Sequence, residues 1–314
     1  MQEYAKPRTV AACGVFAVPA ASVRGTTIIS VDGTGVWCSE AQLHPIAIKA
    51  DLAAASPPTA TRAVRKAVLL VAGHSHKIYG HWLVDYMPKL WVLQQAGYDL
   101  ASIQFLWPRN TLKFARAFFD AAGIRPDQIF EYDPGTEQVE AEELIIPTLT
   151  RFGNMTLPCL PAIASFLVDR IGVTERAVRK IFLARPSDAN GPVGPRPLVN
   201  RREVEAVAAS LGYEIVHPQR HTIVDQISLF RSATHVAGEY GSALHNSIFS
   251  RPGTVVCAIR GAGKLPGFLQ SSIGERMRQP TGYVFGALIN DRRAFLVDAD
   301  LVREALEQSE SATF

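Results

Sequence analysis

Residues 103–133 read IQFLWPRNTLKFARAFFDAAGIRPDQIFEYD. IQFLWP (103–108) is a short apolar run of strand length. TLKFARAFFDAAG (111–123) reads as helix, and IFEYD (129–133) returns to strand. Strand, helix and strand in so few residues argue for an α/β layer with a mostly parallel sheet. Upstream, RKAVLLVAG (65–73) has the length and apolarity of a buried strand. HWLVDYMPKLWVLQQAG (81–97) carries Trp82, Leu83, Tyr86, Leu90 and Leu93 at helical spacing, interrupted by Pro88. ELIIP (143–147) adds another strand. Near the start, TTIIS and GVWC flank the turn-rich VDGTG as a hairpin, and DLAAASPPTATR (51–62) reads as loop.

After a connecting helix, LPCLPAIASFLVDRIG (157–172), the alternation resumes. Its strands are KIFLARP, YEIVHP, THVAGE and TVVCAI. Its helices are NRREVEAVAASLG, TIVDQISLFRSA and a further one opening in GSALHNSIF (241–249). SDANGPVGPRP (187–197) is a Gly/Pro-rich loop long enough to be functional. The economical description is two α/β domains, 1–155 with a β-rich start and 156–314. Ligands of such sheets sit beyond the carboxyl ends of the strands, so the loops after strands are where chemistry belongs.

Composition narrows the function classes. Hydrophobic residues make up 47% of the 314 and charged residues 19%, which describes a chain able to bury a large core. The net charge of +3 is too thinly spread for a nucleic-acid or polybasic membrane protein, but suits a small anionic ligand. Cys13, Cys38, Cys159 and Cys257 fall into no zinc or disulfide pattern, so a reducing compartment is expected. The first twenty residues lack the tripartite form of a signal peptide, and no apolar run has membrane-spanning length. The expectation is a soluble protein.

Three polar clusters carry candidate chemistry. The first, GHSHKIYGHWLVD, holds His74, His76, His81 and Asp85 after a buried strand. On a helix His81 and Asp85 share a face, so the carboxylate can orient the imidazole as a general base. Zinc or iron ligation by His74, His76 and His81 in a metal-dependent hydrolase is the alternative; helix capping and a satisfied histidine are the structural one. The second cluster, HVAGEYGSALHNSIF, places Gly241 and Ser242 at an expected helix start, where backbone N–H groups favour phosphate. Tight strand–turn–helix packing explains the same glycines. In the third, Arg185 ends a strand, while Arg196, Asn200, Arg201 and Arg202 precede or open a helix. Guanidinium groups there match a pyrophosphate, although a solvated face accounts equally well for Arg201 and Arg202. Asp298-Ala299-Asp300 has the D-x-D form of many metal-dependent sugar transferases, but its place beside LVREALEQ reads as helix capping.

In order, these pieces resemble glycosyltransferase family 61 over about His81 to Ile259. His-Trp-Leu-x-Asp-x-x-Pro stands as His81 to Pro88. A strand, an Arg and an Arg-x-x-x-Asn segment stand as Arg185 and Arg196 to Asn200. An acidic-Gln pair stands as Asp225-Gln226, and Gly-x-His-Gly-Ala-x-Leu-x-Asn stands as Gly238 to Asn246. Tyr240 occupies the family's usual His position, so no basic or cationic role carries over to it; a phenol with a pKa of about 10 is a poor base.

The resemblance implies a GT-B fold, two Rossmann-like domains with the active cleft between them. It implies inverting transfer from a nucleotide-sugar, without the D-x-D metal site and with no further cofactor. His81 and Asp85 would be catalytic on the acceptor side. Arg185, Arg196, Asn200, Gln226, Glu239, Tyr240, Gly241, Ser242 and Asn246 would hold the donor. The expected role is bacterial surface or capsular polysaccharide synthesis in the cytoplasm or peripherally at the inner membrane face, with a glycan acceptor as partner. A non-catalytic nucleotide- or glycan-binding subunit is the third reading.

Overall fold

The computed structural model describes residues 13–36, 57–71, 74–173, 178–185, 198–263, 268–289 and 294–311. The chain divides into two compact units, Met1–Phe152 and Gly153–Phe314. Each is an α/β structure.

In the first unit, β1 (Val15–Arg24), β2 (Ile28–Val31) and β3 (Thr34–Val36) form an antiparallel meander. Asp32 and Gly33 join β2 to β3 with φ of +49° and +75°, the two left-handed residues of a type I′ hairpin. β4 (Ala60–Val68), β5 (Gln104–Pro108), β6 (Ile129–Tyr132) and β7 (Glu137–Pro147) supply the parallel part. One seven-stranded sheet results, in the order β3-β2-β1-β7-β4-β5-β6, with β1 antiparallel to β7. The sheet is therefore mixed rather than mostly parallel. β4 also begins inside the stretch expected to be loop, because its first half is mostly exposed and only Val64, Ala67 and Val68 are buried, so it carries no apolar run to read. The short strand β8 (Arg151–Phe152) follows β7.

A helical turn (Tyr79–His81), a π-helical turn (Trp82–Tyr86) and α1 (Pro88–Gln95) run on from one another. The π turn solves the problem posed by Pro88, whose ring cannot sit above an ordinary i−4 carbonyl. The Met87 N–H reaches back five residues to the Trp82 carbonyl at 2.9 Å. Trp82 is fully buried, its ring 5.5 Å from Trp107 and 5.8 Å from Phe119 of α2 (Lys113–Ala121), and its indole N–H donates to the His76 carbonyl at 2.8 Å. Removing such a ring costs about 3–5 kcal/mol, so the helix bearing His81 is firmly docked.

The second unit opens with β9 (Met155–Thr156) and α3 (Leu160–Ile171), which ends at Gly172 in the left-handed conformation at φ +68°. Then follow β10 (Arg179–Leu183), α4 (Arg201–Ser210), β11 (Glu214–Val216), α5 (Ile223–Ser232) and β12 (Ala233–Glu239). A 3₁₀ segment (Leu244–Phe249), β13 (Val255–Gly261), α6 (Leu269–Met277), β14 (Thr281–Ile289), β15 (Ala294–Leu296) and α7 (Ala299–Ser311) complete the unit. The sheet order is β11-β10-β12-β13-β14-β15, parallel except for the last strand. Val204, Val207 and Ala208 of α4 and Val302 and Leu306 of α7 cover Phe182, Ala237, Cys257 and Ile259 on one face. The Asp298 side chain accepts the Asp300 N–H at 2.9 Å, the capping role expected of that carboxylate.

Candidate active site

In the parallel part of each sheet the chain reverses its direction of travel. In the second unit β10 lies between β11 and β12, so the connections from β10 and into β12 diverge at the carboxyl ends of those two strands. In the first unit β4 lies between β5 and β7, and the same divergence falls at the carboxyl ends of β4 and β7. Divergences of this kind leave a crevice, the usual ligand position in open α/β sheets. The polar clusters of the sequence lie at these two places.

In the first unit, His81 and Asp85 follow β4, and Arg151 follows β7. Asp85 is wholly buried. Its Oδ1 accepts Arg151 Nε at 2.6 Å, its Oδ2 accepts Arg151 Nη2 at 2.8 Å, and Oδ2 also lies 2.5 Å from His81 Nδ1. Burial alone pushes the Asp85 carboxyl up, but the Arg151 charge and the hydrogen bonds from His81 and Arg151 outweigh it and bring the group down to about 2. A carboxylate only accepts, so His81 Nδ1 carries the proton. In the neutral ring the lone pair then sits on Nε2, on a side chain that keeps 29% of its surface exposed. Arg151 Nη2 is 3.5 Å from His81 Nδ1. Both are donors in this arrangement, so that contact is not a hydrogen bond. The arrangement fixes the ring of His81 and turns Nε2 away from Asp85, as a general base requires.

Arg151 has no motif in the sequence. Its signal is positional, because it lies just past the strand ELIIP, where ligand-side residues collect. Of the neighbouring histidines, His76 turns elsewhere. His74 opens the turn His74–Lys77, and His76 is buried against Asn110 Oδ1 at 3.2 Å. Among the described residues no group of three or more His, Cys, Asp or Glu comes together as a metal site. Cys38, Arg196 and the loop 187–197 lie outside the described residues.

In the second unit, Glu239 ends β12 with its side chain only 3% exposed. It accepts Arg201 Nε at 2.8 Å, and its Oε2 lies 3.4 Å from Arg185 Nε. Arg185 Nη2 also donates to the Tyr240 carbonyl at 3.0 Å. Two guanidinium groups share one carboxylate, leaving the trio with a net positive charge suited to a small anion. Arg201 thus belongs with Arg185 and not to a solvated face. Gly241 is required by Arg185, since a Cβ there would stand 2.7 Å from Nη2.

The remaining expected donor contacts are placed as follows. Asn200 Nδ2 donates to the Glu203 side chain and to the Val297 carbonyl, both at 2.8 Å, so its amide ties the start of α4 to the end of β15. Gln226 and Asn246 are buried, with Asn246 Nδ2 3.5 Å from Gln226 Oε1 and 3.1 Å from the Ala243 carbonyl. Ser242 is half-buried in the turn after β12. The helix expected to open at Gly241–Ser242 is only the six-residue 3₁₀ segment Leu244–Phe249. Its polar side chains, such as Asn246, bond local backbone and compete with an α-helix, so no α-helix starts at Gly241–Ser242.

A family model, Glycosyltransferase 61, matches residues 79–257. The matched segment includes His81, Asp85, Arg151, Arg185, Arg201, Glu239 and Tyr240. No curated protein matches the chain.

Proposed function

The chain belongs to glycosyltransferase family 61, and from that premise we propose that it is an inverting glycosyltransferase using a nucleotide-sugar donor. The reading rests chiefly on one observation, the buried Asp85 shared by His81 and Arg151, which holds His81 with Nε2 available as a base. His81 Nε2 takes the proton of an acceptor hydroxyl while that oxygen bonds to the anomeric carbon. The bond from the anomeric carbon to the diphosphate breaks, and its electron pair leaves with the nucleotide. Arg185 and Arg201, held by Glu239, receive the diphosphate charge. On this reading the two units are the Rossmann-like domains of a GT-B fold, 1–155 taking the acceptor and 156–314 the donor. The reaction uses no metal and serves cytoplasmic synthesis of a bacterial surface or capsular glycan. No helix among the described residues is long and apolar enough to cross a membrane.

The test is turnover of a panel of nucleotide-sugars with glycan acceptors, the product anomer being read by NMR. Inversion at the anomeric carbon is expected. Retention would remove the direct role of His81, and nucleotide binding without turnover across the panel would favour a binding subunit.

A further inference from the structure

The carboxyl edge of the second sheet carries aromatic rings beside the arginine pair. Parallel register sets Ala258 beside Tyr283 and Arg260 beside Phe285, and alternate residues of β14 share a face. Tyr240 continues β12 onto this edge, its N–H bonded to the Ile259 carbonyl at 2.8 Å. The Tyr240 ring lies 6.4 Å from Tyr283, and Tyr283 stacks on Phe285 at 5.9 Å with only 21° between the planes. Tyr283 is held in place by Phe268, edge-on at 5.8 Å, and by a 2.7 Å hydrogen bond between its hydroxyl and Ser271 Oγ. The Arg260 guanidinium sits 4.9 Å over the Tyr240 ring and is itself buried.

Phe285, in contrast, is 49% exposed. A large apolar ring held nearly parallel to a locked neighbour, yet open to water, presents a flat face for a π-system. The same Tyr240 that turns its ring toward Tyr283 gives its carbonyl to Arg185. Glu239 shares the face of Ala237 and Ile259, and Tyr283 and Phe285 share the opposite one. Tyr240 therefore links anion site and rings across the carboxyl edge of the sheet, and a ligand passing over that edge carries a planar ring at one end and phosphate at the other.

The geometry points to Tyr283 and Phe285 as the stacking platform for the base of a nucleoside diphosphate whose phosphates lie on Arg185 and Arg201. This inference rests on the donor-binding reading above and adds the base subsite to it. Phe268, Tyr283 and Phe285 lie outside the family-matched residues 79–257, so the platform belongs to the part of the chain that the shared motifs do not define. Stacking tolerates any base, and the platform supplies affinity rather than base identity.

The experiment is calorimetric titration of the full chain with UDP, GDP, CDP and ADP and with inorganic pyrophosphate. Wild type is compared with Phe285→Ala, Phe285→Trp and Arg185→Ala. Phe285→Ala should weaken nucleoside diphosphates by roughly 5- to 150-fold while leaving pyrophosphate unchanged. Phe285→Trp should retain affinity, and Arg185→Ala should weaken both ligand types. Unchanged nucleotide affinity in Phe285→Ala, with loss in Arg185→Ala, overturns the platform and leaves the donor reading standing. Loss of acceptor-glycan affinity in place of nucleotide affinity assigns the rings to a sugar and also overturns it. If wild type binds none of the four nucleotides, the donor reading fails and the platform with it.

Discussion

Replacing Asp85 by Asn keeps the shape of the side chain but turns one acceptor oxygen into a donor. Three donors converge on the native carboxylate, at 2.5, 2.6 and 2.8 Å, and all three cannot be satisfied by an amide. The fall of the Asp85 carboxyl from 3.8 to about 2 corresponds to a preference for the charged form of about 2 kcal/mol. Leaving Arg151 without its buried counter-charge raises the expected cost to about 3–5 kcal/mol. All four tryptophans, Trp37, Trp82, Trp91 and Trp107, lie within the first unit, so tryptophan fluorescence in urea reports that unit alone. Asp85→Asn should lower its unfolding free energy by about 2–5 kcal/mol. In Asp85→Asn/Arg151→Met the stranded guanidinium is gone, and at least about 1 kcal/mol should return. Transfer should stay depressed in both variants, on the order of 10⁴-fold for a comparable carboxylate–imidazole pair, because an amide N–H facing Nδ1 moves the ring proton to Nε2. A loss below about 0.5 kcal/mol in the single variant, or no recovery in the double, would refute the coupling of the three groups.

Three further predictions concern pH and backbone. Since the folded Asp85 sits near 2, below its ordinary 3.8, its stabilisation is complete above about pH 4 and is lost as the pH falls toward 2. Acid titration of tryptophan fluorescence should show this loss in wild type and not in Asp85→Asn. Gly238→Ala places a Cβ 2.8 Å from the Leu183 carbonyl oxygen at a φ of +153°, and should destabilise the second unit by more than about 2 kcal/mol in circular-dichroism melts. Gly241→Ala meets only the far end of the long Arg185 side chain, which can shift away, so its melt should stay within about 0.5 kcal/mol of wild type while the displaced guanidinium lowers nucleoside diphosphate affinity.

The α/β alternation was legible because parallel strands buried on both faces are short apolar runs, as in IQFLWP and TVVCAI. β1 was less legible: Pro19 and its small residues hide a ten-residue strand that only its pairing with β7 reveals. The His81–Asp85 pair could be read from its i, i+4 spacing. Arg151 could not, because its partner lies 66 positions away and only strand order brings them together. Spacing likewise gave Arg201 no preference for a site over a solvated face; the buried end of β12, with Glu239, decides that. Asn200 shows the opposite limit, since an amide at a promising place is engaged by the Val297 backbone. The 3₁₀ segment at Leu244–Phe249 shows that a glycine turn before apolar residues predicts a helix only when the intervening polar side chains leave the backbone alone.

On the proposed mechanism His81 is the base for transfer and plays no part in holding the nucleotide. The most direct measurement pairs initial transfer rate with nucleoside diphosphate affinity in His81→Ala. Transfer should be abolished while affinity stays at the wild-type value. Transfer at the wild-type rate would contradict the account.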